Sequence, residues 1–149
     1  GQSIMGMFDG MNISATGMTA QRFRMDVISE NIANVNTTRD ENGEVYRRKT
    51  VVFNEKTSLN FGDTLYNSLN VYKPDGVRVT QVVEDPSDLK MVYDPTHPDA
   101  DENGYVMYPN VDTVTEMTNL IDSSRAYEAN ATAFNAAKSI SAKGLELLQ

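Results

Sequence analysis

Along residues 111–148 the positions Met117, Leu120, Ser124, Tyr127, Ala131, Phe134, Lys138, Ser141, Leu145 and Leu148 recur in steps of three and four. That spacing sets them on one face of a helix. Alanine crowds the middle of the segment, proline is absent, and the single glycine, Gly144, falls near the end. The pattern predicts one long helix, roughly 55 Å at about 1.5 Å per residue. Serine, alanine and lysine interleave with the large apolar residues, so the stripe is weak and the helix needs partner helices. Residues 5–36 carry a second periodic pattern. Met11, Met18, Met25 and Ile32 repeat in heptad register, with Phe8, Ala15, Ile28 and Val35 beside them. Methionine makes such a seam adaptable, and Gly6, Gly10 and Gly17 each weaken helix by about 1 kcal/mol relative to alanine. This helix is expected to order only when packed. Asn31, Asn34, Asn36, Thr37 and Thr38 are expected to end it, because their short polar side chains compete for backbone hydrogen bonds.

Between the two helices the period changes. Residues 39–43 read as a turn, and residues 46–53 (YRRKTVVF) and 77–83 (VRVTQVV) as strands rich in β-formers. Residues 54–75 are polar and irregular, closing on the turn signal Lys73-Pro74-Asp75-Gly76. Residues 91–93 and 105–108 read as hairpin arms around the loop DPTHPDADENG, and Pro109-Asn110 ends the β region. The predicted class is α+β: long N- and C-terminal helices forming a coiled-coil-like pair, with a small all-β domain inserted between them as one sheet or partial barrel. The expected boundaries are 1–38 for the first helix, 39–110 for the β domain and 111–149 for the last helix.

Charge narrows the function. A formal net charge of -8 leaves no basic face to neutralise phosphates, which argues against a nucleic-acid partner, and it disfavours anionic lipid. With no cysteine there is no disulfide framework, thiolate nucleophile or cysteine zinc site. No apolar run approaches the length of a membrane span, so direct membrane insertion is not expected. The first residues lack a basic cluster and an apolar core, and no cleavable secretion signal is expected there.

Candidate chemistry is sparse. Asp99, Asp101, Asn103 and Gly104 match the opening of a calcium loop, but position twelve is Asn110 instead of a bidentate glutamate, and Pro95, Pro98 and Pro109 exclude flanking helices. The competing reading is a tight Asx-type turn with Gly104 at positive φ. His97, the only histidine, has Asp94, Asp99 and Asp101 nearby; a metal site or a hydrogen-bonded loop residue would each account for it. No nucleophile elbow and no phosphate loop is present. The expectations are therefore no catalytic residue, no metal, no cofactor and no small-molecule substrate.

Three blocks resemble a known family. The stretch ISATGMTAQRFRMDVISENIANVNTT, with Gly17-Met18, Ala20-Gln21, Asp26-Val27 and Asn31-Ile32-Ala33-Asn34, resembles the N-terminal signature of bacterial flagellar axial proteins. EMTNLIDSSRAYEAN, with Arg125-Ala126-Tyr127 and Ala129-Asn130, resembles their C-terminal signature. Val92-Tyr93-Asp94-Pro95, His97-Pro98-Asp99-Ala100-Asp101 and Gly104-Tyr105-Val106 are similar to the proximal rod branch, of the FlgC type. The resemblance implies a structural subunit of the basal-body rod, exported by the flagellar type III apparatus. It would assemble with further copies of itself and with other rod subunits into a hollow helical shaft. Residues 1–38 and 111–149 would be axial helices. Their seam, Met11, Met18, Met25, Ile28, Ile32, Met117, Leu120, Tyr127, Phe134, Leu145 and Leu148, would supply the assembly contacts. Another axial protein, or an acidic calcium-binding module with coiled-coil arms, is the competing assignment; an enzyme would rest only on His97 and its acidic neighbours.

Overall fold

The structure, a computed structural model, describes residues 2–55 and 76–148. Helix α1 spans Gln2–Ala33 and helix α2 spans Thr113–Leu147. Between them lie strands β1 (Lys49–Glu55), β2 (Val77–Glu84), β3 (Lys90–Tyr93) and β4 (Tyr105–Tyr108). The class is α+β. The strands form two two-stranded sheets among the described residues, β1 with β2 and β3 with β4, and not the single sheet or partial barrel expected. Residues 85–89, with Pro86 among them, separate β2 from β3. Residues 56–75, within the stretch read as irregular, lie outside the described residues; Glu55 continues β1 instead.

Local chemistry explains the boundaries. At the start of α2, Asp112 Oδ1 accepts from the backbone N–H of Val114 (3.0 Å) and Thr115 (3.2 Å), satisfying donors that a helix start leaves unpaired. At the end of α1, Asn34 Nδ2 donates to the Glu30 carbonyl at 2.8 Å, and Thr37 donates to Asn34 Oδ1 at 3.1 Å. The turn predicted at 39–43 is built on Asp40, whose Oδ1 accepts from the N–H of Asn42 and Glu44.

The chain divides into two compact units. The first comprises residues 1–23, 53–80 and 124–149, the second residues 24–52 and 81–123. In the first unit α1 and α2 run antiparallel: Gly17 faces Asn130, and Ser141 Oγ lies 3.8 Å from Met11 Sδ. A Cβ on Gly17 would stand 2.6 Å from Asn130 Oδ1, so the absence of a side chain is what admits Asn130 there. In the second unit Val27, Ile28, Tyr46, Val106, Pro109 and Val111 are buried, and Lys90 Nζ ties β3 to the Val111 carbonyl at 2.9 Å. No helix among the described residues is long and apolar enough to cross a membrane.

Candidate functional site

The second unit is organised by polar groups that have no access to water. Asn31, read from sequence as part of the helix stop, lies inside α1 and is fully buried. Its four hydrogen-bonding positions are all used. Nδ2 donates to the Lys49 carbonyl (2.8 Å) and to Glu116 Oε2 (3.3 Å); Oδ1 accepts from the Tyr46 hydroxyl (2.8 Å) and the Lys49 N–H (2.9 Å). The side chain thus substitutes for a strand neighbour at the start of β1, which begins at Lys49 and not at Tyr46.

Glu116 is equally buried, in the first turn of α2. Its Oε1 accepts from Arg48 Nε, and Arg48 reaches Asp85 Oδ2 at 3.2 Å with its other face. Asn110 Oδ1 accepts from the Arg48 N–H (2.8 Å), and its Nδ2 donates to the carbonyls of Asp85 and Ser87. Burial opposes the charge on Arg48, but the bond and charge of Glu116, followed by Asp85, outweigh it and raise its pKa. Hydrogen bonds from Ser87, backbone first, hold the Asp85 carboxyl below its usual range, with Arg48 adding to them against burial. Burial, then the carboxylates of Glu30, Glu116 and Glu84, pushes the Tyr46 phenol well above its ordinary value. Tyr46 borders an open hollow of about 570 Å³ with Asp40, Glu44, Lys49 and Glu84, and Arg48 borders one of about 160 Å³ with Val27, Ile28 and Asn119. The arrangement is a clamp that ties α1, β1 and α2 of this unit together.

The loop between β3 and β4 is also closed on itself. Asp101 Oδ1 accepts from the N–H of Asn103 and Tyr105, both at 2.9 Å, and Gly104 has φ +84°. The turn reading holds, and those lone pairs are committed to backbone. A side chain at Gly104 would also meet the Tyr93 ring and Pro95. His97 Nδ1 accepts from the Asp99 N–H at 3.0 Å, and its ring meets Tyr108 edge-on at 6.1 Å. Asp99 Oδ2 takes the Thr38 hydroxyl at 2.6 Å, with Arg39 beside Oδ1. His97 and Asp99 therefore orient the chain leaving α1; Pro98 is exposed between them.

The predicted seam residues are distributed unevenly. Met11, Met18, Met25, Ile32, Leu120, Tyr127 and Phe134 are half-buried, and Ile28 is buried in its own unit. Met117, Leu145 and Leu148 are exposed. In the first unit Met18, Arg22, Tyr127 and Phe134 line an open groove of about 240 Å³. Of the signature residues, Ala33 and Arg125 are exposed, whereas Ala126 and Asn130 are half-buried, with Asn130 Nδ2 on the Ala126 carbonyl at 2.9 Å. Sequence reasoning missed Tyr46, Arg48, Asp85, Asn110 and Glu116 as a group. One signal was present: Glu116 falls on the apolar face, one turn before Leu120, where a lone carboxylate requires a buried partner.

Comparison with known proteins places both ends of the chain in one group. Residues 11–39 match the family described as flagella basal body rod protein, and residues 102–147 match flagellar basal body rod FlgEFG protein C-terminal. Asn31 lies in the first match and Glu116 in the second. The chain is 45% identical to the flagellar basal-body rod protein FlgC of Borreliella burgdorferi, with 97% of this chain and 99% of that protein aligned. Identity to the Bacillus subtilis protein of the same name is 46% (96% and 99% covered), and to that of Escherichia coli O157:H7 37% (97% and 100%).

Proposed function

The chain belongs to the FlgC family of flagellar basal-body rod proteins, and from that premise we propose how it serves the rod. It is a structural subunit of the proximal rod, located in the flagellar basal body. In the proposed assembly, residues 1–38 and 111–149 are the axial segments, pairing along a coiled-coil-like seam and joining neighbouring subunits, both copies of this chain and other rod components, into the hollow drive shaft. Residues 39–110 are carried between them. The flagellar type III apparatus delivers the chain. The role asks for no catalytic group and no cofactor.

The observation that carries the reading is the apolar surface left on α2. Val114, Met117, Ile121, Ile140, Leu145 and Leu147 are all exposed, Val114 at 74% and Leu147 at 88%. Burial of such side chains stabilises by about 25 cal/mol per Å², so a neighbour that covers them contributes the driving force for polymerisation. Met18, Tyr127 and Phe134, around the open groove of the first unit, are assigned to the same contacts. The test is purification of basal bodies from cells whose chromosomal copy carries Met18→Asp or Tyr127→Asp. Both chains are expected in the cytoplasm but missing from the rod. Normal incorporation of either would remove the groove from the assembly surface.

A further inference from the structure

The sequence Asp-Glu-Asn-Gly occurs twice, at residues 40–43 and 101–104, and Asn42 and Asn103 are the only asparagines followed by glycine. The second unit holds both copies, and they fold alike. In each, the glycine N–H donates to the carbonyl of the aspartate three residues before it, at 3.0 Å. Asp40 Oδ1 accepts from the N–H of Asn42 (2.8 Å) and Glu44 (2.9 Å), as Asp101 Oδ1 accepts from Asn103 and Tyr105. Gly43 has φ +80° and Gly104 φ +84°. Both asparagines are exposed.

The surroundings of the two glycines differ. Gly43 is exposed, and a Cβ placed on it would have nothing within 4 Å among the described residues. Gly104 is buried, and the same atom would stand 3.0 Å from the Tyr93 ring and 3.1 Å from Pro95. The first turn can therefore open without disturbing a neighbour. Opening the second separates packed groups, and such contacts raise the free energy of local opening.

Asparagine before glycine carries its own chemistry. The glycine nitrogen, giving up its proton, attacks the asparagine Cγ; a C–N bond forms, and the carboxamide nitrogen leaves as ammonia. Water then opens the resulting succinimide at either carbonyl, to aspartate or to isoaspartate. Glycine favours the attack because no Cβ restricts its approach. While the turn is closed, the glycine N–H is committed to the aspartate carbonyl, and the reaction waits for the turn to open.

We propose that Asn42 is the principal deamidation site of this chain and that the packing around Gly104 protects Asn103. The product acts on the turn that made it. A carboxylate at position 42 joins Asp40, Glu44 and Glu84 around one hollow, where like charges repel. Isoaspartate routes the backbone through the side-chain carbon. That adds an atom inside the loop which the Asp40 N–H closes on the Glu44 carbonyl at 2.7 Å. Either product loosens the connection from α1 to Tyr46.

The test uses the whole purified chain, aged in neutral buffer with and without urea. Peptide mapping by mass spectrometry follows both asparagines in the same sample, and each folded rate is divided by the rate of that asparagine in urea. The quotient for Asn42 is expected to exceed that for Asn103 at least about tenfold, the ratio that a difference of about 1.4 kcal/mol in opening produces. Equal quotients, or a larger one for Asn103, overturn the proposal. So does a folded chain in which Asn42 stays intact while the urea sample converts. The fraction carrying the added negative charge is then isolated by anion exchange. Its midpoint of urea unfolding is expected below that of the unmodified chain; an unchanged midpoint overturns the effect on the turn.

Discussion

The two units of this protein settle their polar and apolar groups in opposite ways. In the second, Asn31 and Glu116 are fully buried, all four hydrogen-bonding positions of Asn31 are used, and each Glu116 oxygen accepts a bond, one from Asn31 and one from Arg48. In the first, α1 and α2 meet at a glycine and a thioether, an open groove lies between Met18, Tyr127 and Phe134, and Ile140, Leu145 and Leu147 face outward. A saturated polar clamp fixes one geometry, because any rearrangement strands a buried donor or acceptor. Loosely filled apolar contacts tolerate adjustment and still have area to bury. The contrast separates polar contacts that close within one subunit from apolar surface that waits for neighbours.

The sharpest way to break this contrast is Glu116→Ala, which strips Arg48 of its buried partner and leaves Asn31 with a spare donor. A loss of about 4 kcal/mol is expected, read as the midpoint of urea unfolding. Asn31→Ala should follow at about 3 kcal/mol, since the Tyr46 hydroxyl and both Lys49 backbone groups lose their partner together. In the first unit the expected effects are smaller and differ in sign. Gly10→Ala should stabilise by about 1 kcal/mol through helix propensity, as nothing lies within 4 Å of the added carbon. Gly17→Ala, in the same helix, should destabilise, because the added carbon collides with Asn130. Equal gains from both substitutions would show that the helix contact at Gly17 does not form.

The smallest effects are in pH. The Asp85 pKa is lowered on folding, so its contribution is complete above about pH 4, the ordinary carboxyl value, and falls as acid carries the pH through its lowered folded value. The Tyr46 pKa is raised, so its contribution is complete below about pH 10 and is lost as the pH climbs beyond that. Thermal unfolding followed across this range should therefore decline at both ends. In Tyr46→Phe the alkaline decline should be reduced and the acid decline unchanged.

Much of the scaffold was legible because it depends on local pattern. The alanine-rich, proline-free stretch gave α2 to within two residues at either end, and the β-formers of residues 77–83 gave β2. The hairpin arms were read as the segments flanking the loop of residues 94–104, which Gly104 and the Asx turn of Asp101 close. What local pattern does not carry is pairing at a distance. Asn31 sits in a run of asparagine and threonine that reads as a helix stop, and only the fold reveals that its amide serves β1 and α2. Arg48 looked like an ordinary strand residue; its partner, Glu116, is 68 positions away. The outward faces of Met91, Met107, Met117 and Ile121 were hidden for a related reason. Periodicity identifies a face but does not say whether it turns inward.

The distance between Asn31 and Glu116 has a consequence in time. Their bond joins positions 85 apart in sequence, and closing so long a loop gives nothing back until both ends are present. A chain emerging from its N-terminus must therefore extend past residue 116 before α1 can be clamped. Until then Asn31 has only Tyr46 and Lys49 to bond, and Arg48 lacks Glu116. The clamp is completed only when the last helix arrives.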